Sequence, residues 1–168
     1  AAYPSWSNVR KNCPSYHNAT FIYGEKILKS KIENSKDKTE KESWVKDLVK
    51  MYDEFDTNFP NNNKGNLVNK AMIQIDNEIG TTDEHYTLLN DAFTKDKKNF
   101  TSAKALYAYF SIYVDLYTAG NKGIELQQVF DKYDDLTKKL EEEEKELTDE
   151  KDALLSKEES GQTLTDKE

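Results

Sequence analysis

The imidazole and thiol groups that could hold a metal or move a proton near neutral pH are few in this chain: two histidines, His17 and His85, and one cysteine, Cys13. A zinc site needs three or four Cys, His or carboxylate ligands brought to one centre, and neither histidine has partners at such a spacing. Both are expected at the surface or in a helix cap. A lone cysteine allows no internal disulfide, so Cys13 is expected to fill a small apolar space, with a reactive thiol or an intermolecular bridge as the alternatives. Asp56-Thr57-Asn58 begins like a calcium loop, but Pro60 and Asn61 stand where a ligand and the turn glycine are required. No glycine-rich phosphate loop or serine nucleophile elbow is present. Paired carboxylates are plentiful because 33% of the chain is charged, so chance pairs carry no weight without a pocket. Asn18-Ala19-Thr20 and Asn99-Phe100-Thr101 match the glycosylation sequon and are read more simply as polar residues at helix entries. The expectation is a chain that is not an enzyme, with no catalytic residue, metal ligand or cofactor site.

Charge narrows the partners. A net charge of −8 opposes a nucleic-acid backbone over most of the surface, and no Lys/Arg cluster reverses the sign locally. No apolar run approaches the roughly 20 residues that cross a bilayer. The first residues, Ala1-Ala2-Tyr3-Pro4, lack the basic and apolar regions of a signal peptide. A structured-looking Trp6-Ser7-Asn8-Val9 follows at once, which leads us to expect sequence upstream. Six Gly and three Pro are too few for the turns of an all-β sandwich, whereas the abundant Lys, Glu, Leu and Ala favour helix.

Apolar periodicity then lays out the helices. A short first helix ends at Asn12, because Cys13-Pro14 drives the backbone out of the α region. Phe21, Ile22, Ile27, Leu28 and Ile32 recur near the 3.6 period of a second. Asp37 or Thr39 caps a third, carrying Trp44, Val45, Leu48, Val49, Met51, Tyr52 and Phe55 and stopping at Phe59-Pro60. Leu67, Val68, Ala71, Met72, Ile75 and Ile79 trace a fourth ending at Gly80. Thr82 or Asp83 caps a fifth with Tyr86, Leu89, Ala92 and Phe93. Thr101 or Ser102 caps a sixth, rich in aromatics on nearly every side and therefore expected to be the most buried. Val129, Tyr133, Leu136, Leu140, Leu147 and Leu154 mark a heptad-like seam along a long last helix, which loses every second member outward. The expected domains are a helical body over 1–122, a long helix over 123–157 whose outer half projects, and a disordered tail over 158–168.

A repeat signal runs through these helices. Trp6 precedes Pro14 by eight residues and Tyr52 precedes Pro60 by eight, with Val9 and Phe55 three places after each aromatic. In a tetratricopeptide repeat the second helix carries a large aromatic, then a smaller apolar residue, then a proline where the next helix starts. Tyr23-Gly24 supplies the large-then-small pair that lets two helices approach closely, and Tyr107, Phe110 and Ser111 fit the same slots in the sixth. The unit from Pro14 to Pro60 is 46 residues, longer than the usual repeat of about 34, and Thr101 stands where a third proline would fall. The expected fold is therefore all-α: an irregular array of antiparallel helix pairs similar to tetratricopeptide repeats, with about six or seven helices and a long C-terminal one. A generic helical bundle is the alternative.

Trp6-x-x-Val9-x-x-Asn12-Cys13-Pro14, Tyr23-Gly24-x-Lys26-Ile27-Leu28, Val49-x-Met51-Tyr52-Asp53 and Tyr113-x-x-x-Tyr117-x-Ala119-Gly120 together resemble the tetratricopeptide-repeat proteins of the Bacteroidota cell envelope, over residues 3 to 140. That resemblance implies an exported protein in the periplasm or at the outer membrane, of which this would be the amino-terminal part, facing other envelope proteins. It brings no catalytic residue.

The function expected is a protein–protein interaction scaffold, with Tyr109, Tyr113 and Tyr117 as the candidate protein-binding face. One alternative is a structural spacer that oligomerises through a coiled coil, with Leu136, Leu140, Leu147 and Leu154 as helix contacts. Another is a small-ligand-binding helical domain.

Overall fold

The computed structural model describes residues 2–62, 65–161, 163 and 165 of the chain. Among them are seven α-helices and no strand: α1 (Ala2–Asn12), α2 (Ala19–Asn34), α3 (Lys38–Asn58), α4 (Asn66–Ile75), α5 (Thr82–Lys95), α6 (Ala103–Thr118) and α7 (Leu126–Glu159). The all-α class and the long last helix agree with the sequence. Two helix starts do as well: the Asp37 carboxylate accepts from the Glu40 amide at 2.9 Å, and the Ser102 hydroxyl accepts from the Ala105 amide. Such caps satisfy amides that the first turn leaves without helical partners.

Two helix ends were misplaced by the sequence. The cap of α5 is Thr81, neither Thr82 nor Asp83. Its hydroxyl accepts from the Glu84 amide while Glu84 accepts from the Thr81 amide, a reciprocal capping box. Helix α4 stops at Ile75 rather than running to Gly80. Glu78 takes a left-handed conformation, φ 56°, and the Ile79 amide donates back to the Gln74 carbonyl at 3.0 Å. This is the turn that usually ends on glycine, here built on Glu78, so Ile79 leaves the helical stripe its spacing appeared to continue.

The chain divides into two compact units, residues 1–100 and 101–168. The boundary falls inside the span 1–122 expected as one body, because α6 packs on α7. The last helix reaches Glu159, so the first two residues of the expected tail are helical; residues 162, 164 and 166–168 of that tail lie outside the described residues.

In the first unit α1, α2 and α3 alternate in direction. Phe21, early in α2, stacks on Phe55, late in α3, at 5.0 Å and 6° between planes. At the opposite ends, Lys31 of α2 lies over the ring of Trp44 of α3. Tyr3 of α1 meets Trp44 edge-on at 5.2 Å. The buried core comprises Trp6, Phe21, Leu28, Ile32, Val45, Leu48, Met51 and Tyr52. Helix α4 is tied to α3 by polar groups: Asn66 donates to Asp56 at 2.6 Å and buried Lys70 to Asp53 at 2.6 Å. At the foot of α5, Phe93 and Phe100 are both buried and meet edge-on.

The second unit is an antiparallel hairpin. Phe110 of α6 contacts Tyr133 of α7 with ring centres 5.5 Å apart. The side of α6 that is buried carries Ala105, Leu106, Tyr109, Tyr113 and Leu116, one stripe at helical spacing. Tyr107 lies about 150° round the helix from that stripe and is 74% exposed. The expectation that α6 is the most enclosed helix therefore fails: an aromatic on every side did not mean a neighbour on every side. Helix α4, in which no residue is exposed, is more enclosed.

Candidate interaction surface

The longest helix carries most of the exposed large apolar side chains, some beside α6 and some past its end, because it is far longer than its partner. At 1.5 Å per residue α6 is about 24 Å long and α7 about 51 Å. Leu126, Tyr133, Leu140, Leu147 and Leu154 recur every seven residues along α7, so they fall on one gently winding line. Beside α6 the intervening seam residue, Leu136, is buried at 5% exposure. Further out, the equivalent positions are Glu143 and Glu150, and Leu140 and Leu147 stand 43% and 67% exposed.

Along the exposed line runs a shallow groove, walled by α6 and α7 at its inner end and by α7 side chains alone at its outer end. An open depression of about 140 Å³ lies between Leu106, Tyr107 and Phe110 of α6 and Tyr133, Leu136 and Leu140 of α7. It shares Ala103 and Leu140 with a second of about 400 Å³, which runs past Glu144 to Leu147 and Lys151. That one shares Leu147 and Lys151 with a third of about 250 Å³, ending at Leu154, Leu155 and Glu158. From Tyr133 to Leu154 the path is about 32 Å long.

The groove is apolar in its floor and acidic at its edges. Between Glu141 and Glu159 ten Asp and Glu stand against three Lys. One of the three, Lys145, is bound to Asp149 at 2.5 Å, and that hydrogen bond, followed by the charge of Asp149, raises its pKa. Lys139 and Glu143, both buried, pair with each other one turn apart.

The tyrosines expected as the binding face are placed differently. Tyr109 is fully buried and Tyr113 is buried, whereas Tyr117 is half-buried. Lys132 of α7 donates to the Tyr109 hydroxyl at 2.9 Å and sits over the rings of Tyr109 and Tyr113. Those two rings are packing residues, because they fall on the buried stripe of α6. Of the candidate helix contacts, Leu136 belongs to the hairpin core, Leu140 and Leu147 are exposed and Leu154 is half-buried. The sequence singled out no role for Tyr107, Phe110 or Leu155 in a binding surface. Tyr107 was recoverable from its angle on the helical wheel, whereas Leu155 sits beside the heptad line and carries no spacing signal.

In the first unit Val9, Tyr16, Ile22 and Tyr23 are exposed, with Lys26 over the Tyr23 ring at 5.6 Å. Its polar cleft of about 490 Å³ between α1 and α3 is bridged by Arg10, which donates to Asp47 at 2.9 Å and Glu54 at 2.6 Å. The residues considered for chemistry are accounted for locally. His17 Nδ1 accepts from the Ala19 amide at the start of α2, and His85 donates to the Ile79 carbonyl. Asp56 accepts from Asn66. Cys13 is exposed, contrary to the expected packing role, since α1 ends one residue earlier and the turn carries the side chain outward. Among the described residues no three His, Cys, Asp or Glu converge as a metal site, and no helix is long and apolar enough to cross a membrane.

No family model, curated protein or solved structure matches this chain.

Proposed function

We propose that the chain is a non-catalytic scaffold that holds another protein along the α6–α7 groove. The observation behind this is the line of Tyr133, Leu140 and Leu147, all exposed, which half-buried Leu154 continues. Contiguous apolar surface exposed to water is costly, and where it persists it usually marks a contact site. A groove with an apolar floor and charged edges is the surface on which amphipathic helices dock. The open shape of the depressions favours a macromolecular partner over a small ligand, which binds by being largely enclosed.

The antiparallel helix pairs, the close α1–α2 approach at Gly24 and the sequence resemblance support a tetratricopeptide-like scaffold. On the resemblance alone, its setting is the periplasm or outer membrane, its partners are envelope proteins, and it forms the amino-terminal part of a longer helical-repeat protein.

The test is crosslinked capture from the native cells with the full-length protein and with the Leu147→Asp/Leu154→Asp double variant. Neighbours retained by the first and lost by the second, with helix content unchanged, support the reading. An identical set of neighbours for both contradicts it.

A further inference from the structure

The chemistry of the groove selects among partners. Its floor repeats every seven residues from Tyr133 through Leu140 and Leu147 to Leu154, the spacing at which a second helix presents side chains to a first. An extended strand would place alternate side chains about 6.6 Å apart and would not stay in step with leucines about 10.5 Å apart along the axis. The geometry therefore fits a helix of about 20 residues.

The edges fix the sign. Glu144, Glu150 and Glu158 are exposed along the groove, with Lys151 the basic side chain among them. The surrounding stretch from Glu141 to Glu159 has ten acidic side chains and three lysines. A second copy of the chain would bring this same excess of carboxylates against itself, and like charges at an interface oppose association. A helix with Lys or Arg beside its apolar stripe meets complementary charge along the outer part, from Glu144 to Glu158.

We propose that the groove on α7 receives a basic amphipathic helix of another protein, with apolar side chains at seven-residue spacing lying between Tyr133 and Leu154. This rests on the scaffold reading above and names its partner class. The leucines supply the buried contact, and the flanking carboxylates set the orientation and exclude acidic helices, the α7 of another copy included.

The test uses the intact chain and three fluorescent synthetic peptides of one length. The first is helical with Leu at every seventh position and Lys on its flanks; the second replaces those Lys by Glu; the third is a scramble of the first. Expected is saturable binding of the first, weaker by about tenfold or more for the other two. It should weaken as salt rises and fall by about tenfold in Leu147→Asp, whose circular dichroism stays unchanged. Four results would each overturn the proposal: no binding of the first peptide, equal binding of the scramble, equal binding of the Glu peptide, or a dimer of the chain abolished by Leu147→Asp. If any of these occurs while the double variant still loses its cellular neighbours, the groove binds protein of another chemistry. If the neighbours are unchanged as well, the scaffold reading itself fails.

Discussion

A Cβ placed on Gly24 would lie 2.6 Å from Cζ2 of Trp6, closer than side-chain carbons ever come, and 2.8 Å from the sulfur of Met51 on the other side. Gly24 is thus the point at which α1, α2 and α3 meet. The indole of Trp6 lies across it and donates from Nε1 to the Thr20 carbonyl at 2.7 Å. Gly24→Ala should push Trp6 off this seat and destabilise the first unit by about 1 to 3 kcal/mol. The loss would appear as a lower urea midpoint with Trp fluorescence shifted towards that of exposed indole. An unchanged midpoint would mean that the three helices can separate without cost.

The large-then-small pair Tyr23-Gly24 could be recognised in the sequence because close helix approach leaves a composition signal that depends on one residue. The periods of α2, α3 and α6, and the caps Asp37 and Ser102, were legible for the same reason: each is set within a few residues. What could not be read depends on where the chain goes next. The turn at Glu78 looks like a continuing helix until its left-handed φ is known, and Tyr109 and Tyr107 are equally aromatic until the buried side of α6 is fixed. Leu140 and Leu147 repeat the spacing of a buried seam, yet Leu140 is exposed beside α6 and Leu147 near its start.

The Tyr52 hydroxyl is buried, with the Glu25 carboxylate near it but no acceptor in full hydrogen-bond geometry. Burial first, and then the charge of Glu25, hold its pKa above the ordinary phenol value of 10.0. Its raised folded pKa means that stability is full below pH 10 and falls as pH rises above it, where the unfolded chain ionises and the folded one resists. Tyr52→Phe should therefore be neutral or more stable by about 1 kcal/mol at pH 7. Its advantage over the parent should widen in urea melts above pH 10; a constant difference across that range would rule out the buried phenol as the cause.

Glu84 moves the other way. Hydrogen bonds from the Thr81 amide, and then from its hydroxyl, lower its pKa below the usual 4.5. A lowered folded pKa contributes stability above the unfolded value and loses it as pH falls through the folded one. Amide protection in the first turn of α5 should decline below about pH 4.5, and Thr81→Ala should cost about 1 kcal/mol at neutral pH while lessening that decline without abolishing it, because the amide at position 81 still donates to Glu84. Hydrogen exchange at Glu84 and His85 reads both, and protection indifferent to pH would show that the box contributes nothing.

Two leucines on one helix should behave oppositely. Leu136→Ala empties a buried position of the α6–α7 hairpin and should cost about 2 to 4 kcal/mol. Leu147→Ala, on the exposed stretch, should change stability by no more than about 0.5 kcal/mol. Thermal melts of the pair decide whether the seam is core on one side of Leu140 and free surface on the other; equal losses would place Leu147 in the folding core.

The central claim, that the outer groove of α7 is where another protein sits, is tested most directly by a photo-crosslinking residue at position 147 of the full-length protein in its own cells, with positions 16 and 23 as comparisons. We expect a discrete adduct from position 147, joined to a helical, lysine- or arginine-rich segment of one other protein. Adducts from positions 16 or 23 with none from 147 would contradict the account.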